Sequence, residues 1–389
     1  MPAGKPALVV EYTDPIEGFK GWLVRDSIDH RICAGGMRVQ EGLTCRKLAD
    51  MARNMSCKMR IAGLRVDGAK SGIDYDPGSP AKAAAVARYL QAIRPYIEAT
   101  YSMGPDLNME MDELEKIAHG TGIASIKMAI ARAQGWELDY FLERCALLQH
   151  QIDGFSLSRL RAGYGLAAAV LAVLDFLAIR NTSASVAIQG FGTLARAAAS
   201  TLYKAGVRIV AIADIEKCFV ATREKGLDIP KLLLSSGPLL DAAGSHDIIQ
   251  KPSAAVTELH CDVLVPAAVE NSIPPDIASS LHAKIVVPGA NLAVPDESLN
   301  ILQEKSVIVL PDYLAGCGGS LSMEGMFGPT DHPSAQSVLD HVDKKIFEIV
   351  SRVLGKSQRE KISPTAAANK LCQEVGRPLN PDSRPYGNP

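Results

Sequence analysis

Lys70 is the residue of this chain whose surroundings most directly suggest chemistry. It lies in the stretch AGLRVDGAKSGIDYDP, residues 62–77, with Gly68 and Gly72 on either side. A surface loop is one interpretation, because lysine is common on surfaces and glycine and Asp-Pro mark turns. The other is a lysine in a closed cleft, where an ammonium group loses hydration, its pKa falls and it exchanges protons near neutral pH. The stretch alone does not decide between them.

The hexapeptide GFGTLA, residues 190–195, is a second candidate and fits the pattern G-x-G-x-x-G/A. In this pattern Gly190 makes a tight turn, Gly192 lets a pyrophosphate approach the backbone, and Ala195 allows close packing of helix on strand. The hexapeptide follows an apolar strand, opens a helix and precedes Asp214 by roughly 20 residues, as the dinucleotide fingerprint requires. These features predict a dinucleotide site, with a purely structural glycine turn as the alternative.

Asp214 also indicates which dinucleotide is bound. A carboxylate accepts hydrogen bonds from ribose hydroxyls and repels a 2′-phosphate. The sequence therefore predicts NAD rather than NADP.

Composition is typical of a globular protein of two or three domains. The chain has 389 residues, of which 47% are hydrophobic and 22% charged, and its formal net charge is −2. This near-neutral charge gives no indication of nucleic acid or a membrane surface as a partner. The N-terminus does not resemble a signal peptide, and the longest apolar stretch, residues 165–179, is expected to be a buried helix too short to span a bilayer. Eight cysteines without a CxxC pair predict a cytoplasmic location, reduced thiols and no structural zinc.

The order of elements predicts two different α/β regions. Residues 43–59 and 79–97 have the apolar spacing of amphipathic helices, and residues 157–180 are predicted to form a further helix. From about residue 184, short apolar strands alternate with helices, which predicts a parallel sheet covered on both faces. The two segments after residue 335 are predicted as helices, and the Pro-rich tail RPLNPDSRPYGNP as loose chain.

Taken together, these motifs resemble the glutamate/leucine/phenylalanine/valine dehydrogenase family over roughly residues 30–375. The resemblance rests on motifs that occur in the family's order. They are AGGMRV (34–39), MSCKMRIAGLRVDGAKSGI (55–73), GPDLNMEMDEL (104–114), VAIQGFGTLA, LVPAAVEN (264–271), VVPGAN (286–291) and PDYLAGCGGSLS (311–322). The resemblance implies an α/β protein with an N-terminal substrate and oligomerisation domain (1–155), a Rossmann-type doubly wound domain (156–330) and C-terminal helices returning to the first domain (331–389). It also implies an active-site cleft between the domains and a homo-oligomer.

By resemblance, three residues form the reaction centre. Lys70 matches the lysine that polarises the substrate carbonyl and activates a water, and Asp106 the carboxylate that moves protons to and from the substrate nitrogen. Lys58 matches the lysine that binds the substrate α-carboxylate. Taken singly, Lys58 is more simply a solvated helix residue and Asp106 a turn or helix-capping residue.

The resemblance also implies the residues around the two ligands. The substrate positions are Ala34, Gly36, Met37, Lys58, Ser320 and Met323. The cofactor positions are Gly190, Phe191, Gly192, Thr193, Leu194, Asp214, Ile215, Ala267, Ala268 and Asn291.

The substrate positions favour an apolar amino acid. Ala34 stands where glutamate dehydrogenases have a lysine for the substrate's side-chain carboxylate, and Met323 stands where they have a serine. Since a buried carboxylate without a partner is costly, glutamate is disfavoured, and an aliphatic or aromatic side chain fits better. The alternative is that both residues are ordinary core residues and that other positions set the size of the pocket.

Three positions depart from the family pattern. Ala162 replaces a threonine in RAGYG, Gly316 replaces an asparagine in GCGG, and Asp67 replaces a glycine, from where it would raise the pKa of Lys70 if it pointed inward. These departures suggest a specialised member. Two alternatives to an amino-acid dehydrogenase stay open, namely a reductase or cyclase acting on an imine or keto group, and a catalytically idle nucleotide-binding relative.

Overall fold

The computed structural model describes residues 5–234, 247–375 and 384–386. By their contacts, these residues divide into two compact units. The first comprises the described parts of Met1–Ala146, Met326–His332 and Glu374–Pro389, and the second comprises those of Leu147–Gly325 and Pro333–Gln373. In this division, nearly all of the two C-terminal helices belongs to the second unit.

The first unit is built on a mixed sheet with helices on both faces. Its strands are β1 (Leu8–Thr13), β2 (Lys20–Arg25), β3 (Cys33–Val39), β4 (Asp67–Ile73) and β5 (Tyr101–Pro105), in the order β1-β2-β4-β3-β5. The pairs β1–β2 and β2–β4 are antiparallel, whereas β3 pairs in parallel with β4 and β5. The helices are α1 (Cys45–Ala62), α2 (Lys82–Ala92), α3 (Arg94–Ala99), α4 (Met111–Gly120), α5 (Met128–Gln134) and α6 (Leu138–Ala146).

The two faces of this sheet differ in side-chain size. Because successive strand residues point to opposite faces, Met37 and Ile73 lie on one face, in a core cluster that includes Tyr89 of α2. The other face has small residues and lies against α1. At Gly68, for example, a Cβ would come within 2.1 Å of the backbone nitrogen of Ser56 in α1. Glycine at this position therefore lets α1 pack directly on the strand that contains Lys70.

The second unit contains the doubly wound sheet that the sequence predicts. Its strand order is β11-β10-β9-β8-β12-β13-β14, and β9, β8, β12, β13 and β14 are parallel. The strands are β8 (Ser185–Gln189), β9 (Arg208–Ala213), β10 (Lys217–Ala221), β11 (Ile248–Pro252), β12 (Val263–Pro266), β13 (Ile285–Val286) and β14 (Ile308–Val309), and β6 (Gln151–Ile152) and β7 (Phe155–Ser156) form a separate pair. The helices are α7 (Leu157–Phe176), α8 (Thr193–Lys204), α9 (Ile229–Leu233), α10 (Pro275–Ser280), α11 (Asp296–Glu304), α12 (Asp312–Ala315), α13 (Gly318–Phe327), α14 (Ala335–Glu360) and α15 (Pro364–Val375).

Helix α7 is the apolar helix that was predicted to be buried, and the structure confirms its burial. It packs against α8 and α14, and 72% of its most apolar 18-residue window is buried inside the protein. The whole 20-residue helix is longer than the predicted stretch and could cross a membrane by length and composition alone, but its burial is that of a core helix.

Three other sequence-based expectations are corrected. The helix predicted over residues 79–97 is two helices, because Pro95 lies in the first turn of α3 and has no N–H to continue α2. The antiparallel strands β10 and β11 extend one edge of the second sheet and were not predicted. The glycine-rich stretch around Lys70 is not a turn but a strand, β4, in which every residue is buried. Most of the predicted loose tail lies outside the described residues.

Candidate functional site

Lys70 lies on the buried strand β4, between β2 and β3, and is 3% exposed. The surface-loop interpretation is therefore wrong. The chain folds this way because Gly68 and Gly72, on the same face as Lys70, leave the backbone close to neighbouring elements without side chains in between.

Lys70 forms a buried ion pair with Asp106, which directly follows β5. The Lys70 Nζ lies 3.0 Å from the Asp106 Oδ2, and the side chain of Asp106 is 14% exposed. The backbone N–H of Asp106 donates to the carbonyl of Met37 at 3.0 Å, which ties the carboxylate to β3. Helix capping does not explain Asp106, because α4 begins at Met111 with Glu110 as its N-cap.

A third charged group, Arg38 of β3, completes this cluster. Its Nε lies 2.6 Å from the same oxygen, Asp106 Oδ2, and its Nη1 donates to Gln40 Oε1 at 3.0 Å. Sequence reasoning missed Arg38. Strand alternation could have found it, because Arg38 is two residues from Gly36 and so lies on the same face of β3.

Gly36 lets the side chain of Asp106 lie directly against β3. A Cβ at this position would lie 2.8 Å from the Cβ of Asp106 and 3.4 Å from the Nζ of Lys70. Any side chain at residue 36 would collide with Asp106 and come close to the Lys70 ammonium. The predicted substrate position Gly36 is thus brought together with Lys70 and Asp106.

The pKa values in the cluster follow from burial and mutual charge. Burial lowers the pKa of Lys70 below its ordinary value; Asp106 opposes this shift, whereas the positive charges of Arg38 and Lys58 add to it. Burial alone would raise the pKa of Asp106, but Lys70 and Arg38 together lower it to about 2. Asp106 is consequently an anion at neutral pH, beside a lysine that loses its proton more easily than an exposed one.

The other predicted residues of the first unit have different surroundings. Lys58 is a buried residue of α1, 9% exposed, and lies close enough to Lys70 to affect its pKa. Ala34 is half-buried and lies on the same face of β3 as Gly36. The side chain of Met37 is fully buried in the core on the opposite face, so that only its backbone is near Asp106.

Asp67 does not point towards Lys70, so the suggested effect of its charge on Lys70 is not found. The two residues are three apart on β4 and project to opposite faces. The Asp67 carboxylate pairs with Arg25 at 2.5 Å and accepts a hydrogen bond from the hydroxyl of Ser27 at 2.8 Å. This departure from the family pattern fixes a loop rather than altering the reaction centre.

In the second unit, GFGTLA lies where the strand order reverses, at the carboxyl ends of β8 and β12. Gly190 has φ +100°, and a Cβ there would lie 2.8 Å from the carbonyl oxygen of Ala267 and 3.0 Å from Ala268. Only glycine fits this turn. The structure thus brings the predicted positions Gly190, Ala267 and Ala268 together.

The N-terminus of α8 has the features that a pyrophosphate needs. No side chain caps this helix, whose N-cap is Gly192, so its first N–H groups are not bonded by a capping side chain. A Cβ at Gly192 would meet nothing within 4 Å among the described residues. Phe191, Thr193 and Leu194 continue the turn into the helix. These residues fit a dinucleotide that lies across the turn.

The remaining predicted cofactor positions, Asp214, Ile215 and Asn291, follow this turn in the chain, after strands of the same sheet. Asp214 follows β9, and its Oδ1 accepts hydrogen bonds from the backbone N–H groups of Glu216 and Lys217, both at 2.9 Å. Ile215, in the same turn, is 92% exposed. Asn291 follows β13, next to Ala290, whose N–H donates to the last residue of β12.

Two predicted substrate positions, Ser320 and Met323, lie in the second unit on α13 and are buried. Beside them is Arg161 of α7, which sequence reasoning also missed. The buried Arg161 guanidinium donates through Nη1 to the carbonyl of Gly319 at 2.7 Å and to the hydroxyl of Ser322 at 2.9 Å. Its signal in the sequence was an arginine near the start of a mostly apolar helix.

The glycines of RAGYG explain how α7 approaches its neighbours. A Cβ at Gly165 would lie 2.4 Å from the Cα of Gly318, and one at Gly163 would lie 2.4 Å from the carbonyl oxygen of Leu194. Ala162, between Arg161 and Gly163, is half-buried. Gly316, the other departure in this region, is the C-cap of α12. The GCGG and GFGTLA motifs thus both contact the start of α7.

Comparison with known proteins identifies the family. A profile described as Glutamate/Leucine/Phenylalanine/Valine dehydrogenase matches residues 154–375, and one described as Glu/Leu/Phe/Val dehydrogenase, dimerisation domain, matches residues 7–122. The chain belongs to the glutamate/leucine/phenylalanine/valine dehydrogenase family. It is therefore an amino-acid dehydrogenase, an oxidoreductase that uses a nicotinamide cofactor.

Relatives and solved structures agree with this assignment. NADP-specific glutamate dehydrogenase A1 of Halobacterium salinarum is 28% identical over 321 residues, which are 80% of this chain and 73% of that protein. NAD-specific glutamate dehydrogenase of Clostridioides difficile is 26% identical over 344 residues, 81% of this chain and 75% of that protein. The crystal structure of a hetero-hexameric glutamate dehydrogenase from Thermus thermophilus in its Leu-bound form superposes with a TM-score of 0.77 at 25% identity, covering 95% of this chain and 88% of that one.

Proposed function

We propose that the protein catalyses the NAD-dependent oxidative deamination of an apolar L-amino acid to its 2-oxo acid and ammonia, and the reverse reductive amination. The observation that supports this most is the buried pair of Lys70 and Asp106, 3.0 Å apart and packed against Gly36. An acid and a base in one protected place are what proton transfer at a substrate carbon and nitrogen requires.

In this proposal each charged residue has one role. Lys58 binds the substrate α-carboxylate, whose negative charge it offsets. Asp106, anionic at neutral pH, accepts a hydrogen bond and then a proton from the substrate nitrogen. Lys70, whose pKa burial lowers, takes one proton from the water that attacks the iminium carbon and later releases it to solvent. Asp106 returns its proton to the nitrogen, and the remaining O–H proton of the adduct leaves with the ammonia as ammonium when the carbonyl forms.

The residues around GFGTLA would bind the cofactor. The α8 N-terminus and Gly192 would hold the pyrophosphate. Gly190, Ala267 and Ala268 would form the backbone surface against which it lies. The carboxylate of Asp214 would accept hydrogen bonds from the ribose hydroxyls, and its charge disfavours a 2′-phosphate, which supports NAD. When bound, the nicotinamide cofactor supplies the hydride acceptor or donor.

The preference for an apolar substrate rests on Ala34 and Met323. Neither side chain has a charge or a hydrogen-bond donor for a substrate carboxylate, and an unpaired buried carboxylate is costly. In this proposal, an aromatic side chain is slightly favoured over a branched aliphatic one.

Glutamate is a second candidate, favoured by two observations. The relatives named above are glutamate dehydrogenases. In addition, Arg161 places a buried cation next to the predicted position Ser320. If Arg161 serves a substrate carboxylate, replacing it with methionine will remove activity on 2-oxoglutarate while sparing phenylpyruvate.

The experiment that tests the proposal follows NADH absorbance with purified protein, ammonia and a panel of 2-oxo acids. The panel contains phenylpyruvate, indolepyruvate, 2-oxoisocaproate, 2-oxoisovalerate and 2-oxoglutarate, each with and without ammonia. The expected result is ammonia-dependent oxidation of NADH, fastest with an apolar 2-oxo acid and faster with NADH than with NADPH.

Other outcomes select the alternatives. Turnover without ammonia would indicate a reductase or cyclase, and 2-oxoglutarate as the best substrate would favour glutamate. Binding of NADH without turnover of any member of the panel would contradict the proposal and favour an idle relative. We further propose the domain boundaries 1–155, 156–330 and 331–389, a homo-oligomer and a cytoplasmic location.

A further inference from the structure

Arg38 is a buried cation that the proposed mechanism does not use. It is 5% exposed and lies on β3, two residues after Gly36. Its guanidinium donates to Asp106 Oδ2 at 2.6 Å and to Gln40 Oε1 at 3.0 Å. A guanidinium held at two points has a fixed plane and so fixes the orientation of its partners.

The contacts of Asp106 are unevenly divided between its two oxygens. Oδ2 accepts from both Arg38 and Lys70, at 2.6 Å and 3.0 Å. Oδ1 accepts from no donor in the described part of the chain. The side chain of Asp106 is 14% exposed, and Oδ1 is therefore the oxygen that a substrate nitrogen can reach.

We propose that Arg38 is a positioning residue, which holds Oδ2 of Asp106 together with Lys70 and thereby presents Oδ1 to the substrate nitrogen. The inference rests on the proposed function and deepens it. Without Arg38, the carboxylate is held by one flexible ammonium and can rotate about its χ2 angle, so that the two oxygens exchange places.

The charge of Arg38 also acts on both titrating groups. The charged and titratable groups around the pair are Lys58 on α1, Arg38 on β3 and Tyr101 on β5. Burial is the largest cause of the lowered pKa of Lys70, and Arg38 adds to it, whereas Arg38 opposes the effect of burial on Asp106 and lowers its pKa. Loss of the positive charge at residue 38 therefore raises the pKa of both groups.

The chain offers a matched control in Arg25 on β2. Arg25 is 6% exposed and forms a buried ion pair of 2.5 Å with Asp67, a residue that projects away from Lys70. Arg25→Gln therefore removes a buried positive charge from the same sheet and leaves the contacts of Asp106 in place. A structural role for Arg38 would therefore make Arg38→Gln behave as Arg25→Gln does.

The experiment measures kcat/KM for reductive amination against pH, with the best 2-oxo acid of the panel. The variants are Arg38→Gln, Arg38→Lys and Arg25→Gln, each with its melting temperature. Arg38→Gln is expected to lose about 10²-fold in kcat near neutral pH, a typical contribution of a positioned acid or base. Its alkaline limb should move to higher pH, because loss of the positive charge at residue 38 raises the pKa of Lys70.

Arg38→Lys is the conservative variant and remains informative if Arg38→Gln does not fold. Lysine restores the charge but cannot hold Asp106 and Gln40 in one plane. The pH profile should therefore return towards that of the unchanged protein while kcat stays lower. Arg25→Gln should lower the melting temperature and leave the pH profile in place.

Two results would overturn the inference. One is a pH profile of Arg38→Gln that matches that of Arg25→Gln, and the other is full recovery of kcat in Arg38→Lys. If the unchanged protein turns over no 2-oxo acid, the proposed function fails, and Arg38 is then tested without turnover. Cyanate carbamylates neutral lysines, and peptide mass spectrometry follows the carbamylation of Lys70 against pH. The exposed Lys225 is the internal reference. An unshifted pH midpoint for Lys70 in Arg38→Gln would overturn the inference there as well.

Discussion

At the scale of single residues, the site depends on small neighbouring residues. Ala34, Gly36, Gly68 and Gly72 have little or no side chain, which lets neighbouring elements pack closely around the charged groups. Burial then gives these groups properties that they do not have in water. It lowers the pKa of Lys70, while two adjacent cations hold Asp106 ionised against the same effect.

Removal of the lysine tests its role directly. Lys70→Ala is expected to lower kcat by about 10²- to 10⁴-fold, the range for loss of a positioned acid or base. Binding of NADH, measured by fluorescence, should persist, because the cofactor positions lie in the other unit. Lys225→Ala, at an exposed position, is the control and should be indistinguishable from the unchanged protein. Retention of kcat within a factor of a few in Lys70→Ala would refute the assignment.

Oxidative deamination should depend on pH through the same lysine. Lys70 must be neutral to take a proton from water, and its pKa lies below the ordinary lysine value. The rate should therefore rise with pH at neutral to mildly alkaline values and level off before an exposed lysine would titrate. A rate that still rises up to about pH 10.4, the value of an unperturbed lysine, would contradict this.

Cofactor preference depends on a single charge in this proposal. Asp214→Asn keeps an oxygen for the backbone N–H groups of Glu216 and Lys217 but removes the charge that repels a 2′-phosphate. The ratio of kcat/KM for NADPH to that for NADH should rise by about tenfold, equivalent to about 1.4 kcal/mol. Glu224→Gln, which removes an exposed charge in the same unit, should leave the ratio unchanged. An equal ratio in both variants would show that Asp214 does not select the cofactor.

At the scale of elements, α7 is the helix against which both glycine motifs of the second unit are built. Gly163 brings it against α8, next to GFGTLA, and Gly165 brings it against the start of α13. These are contacts between backbones, so no rearrangement of a side chain can relieve an added methyl group.

Gly165→Ala should accordingly destabilise the protein by about 1–3 kcal/mol, the usual cost of overpacking. Urea unfolding measures this free energy. Gly120→Ala is the matched control, because Gly120 is a helical glycine with nothing within 4 Å of its would-be Cβ among the described residues. Its helix propensity should make Gly120→Ala neutral or slightly stabilising. Equal effects of the two substitutions would mean that α7 yields to accommodate the methyl group.

The elements that the sequence predicted are those whose signal is local. Helices α1 and α7 follow from apolar spacing, and β8 with GFGTLA follows from a short motif. Strand β4 was misread because its glycines suggest a turn, and only its pairing with β2 and β3, which is distant in sequence, makes it a strand. Arg38 was missed for the same reason, since its partner Asp106 is 68 residues away.

At the scale of the whole molecule, we expect an oligomer. The profile that matches residues 7–122 is described as a dimerisation domain, and this segment exposes the apolar side chains of Val9, Ile16 and Ile28. Light scattering coupled to size exclusion should give a mass that is a whole multiple, above one, of the chain mass. A monomer at micromolar concentration would contradict the expectation.

The place of α7 in the chain has a consequence for synthesis. The ribosome completes α7 at Phe176, but α14, which packs along it, begins only at Ala335. This apolar helix of 20 residues therefore leaves the ribosome long before α14 has been synthesised. In that interval its apolar surface is exposed to other nascent chains. Holdase chaperones should engage the nascent chain in this window, and chains truncated before Ala335 should aggregate.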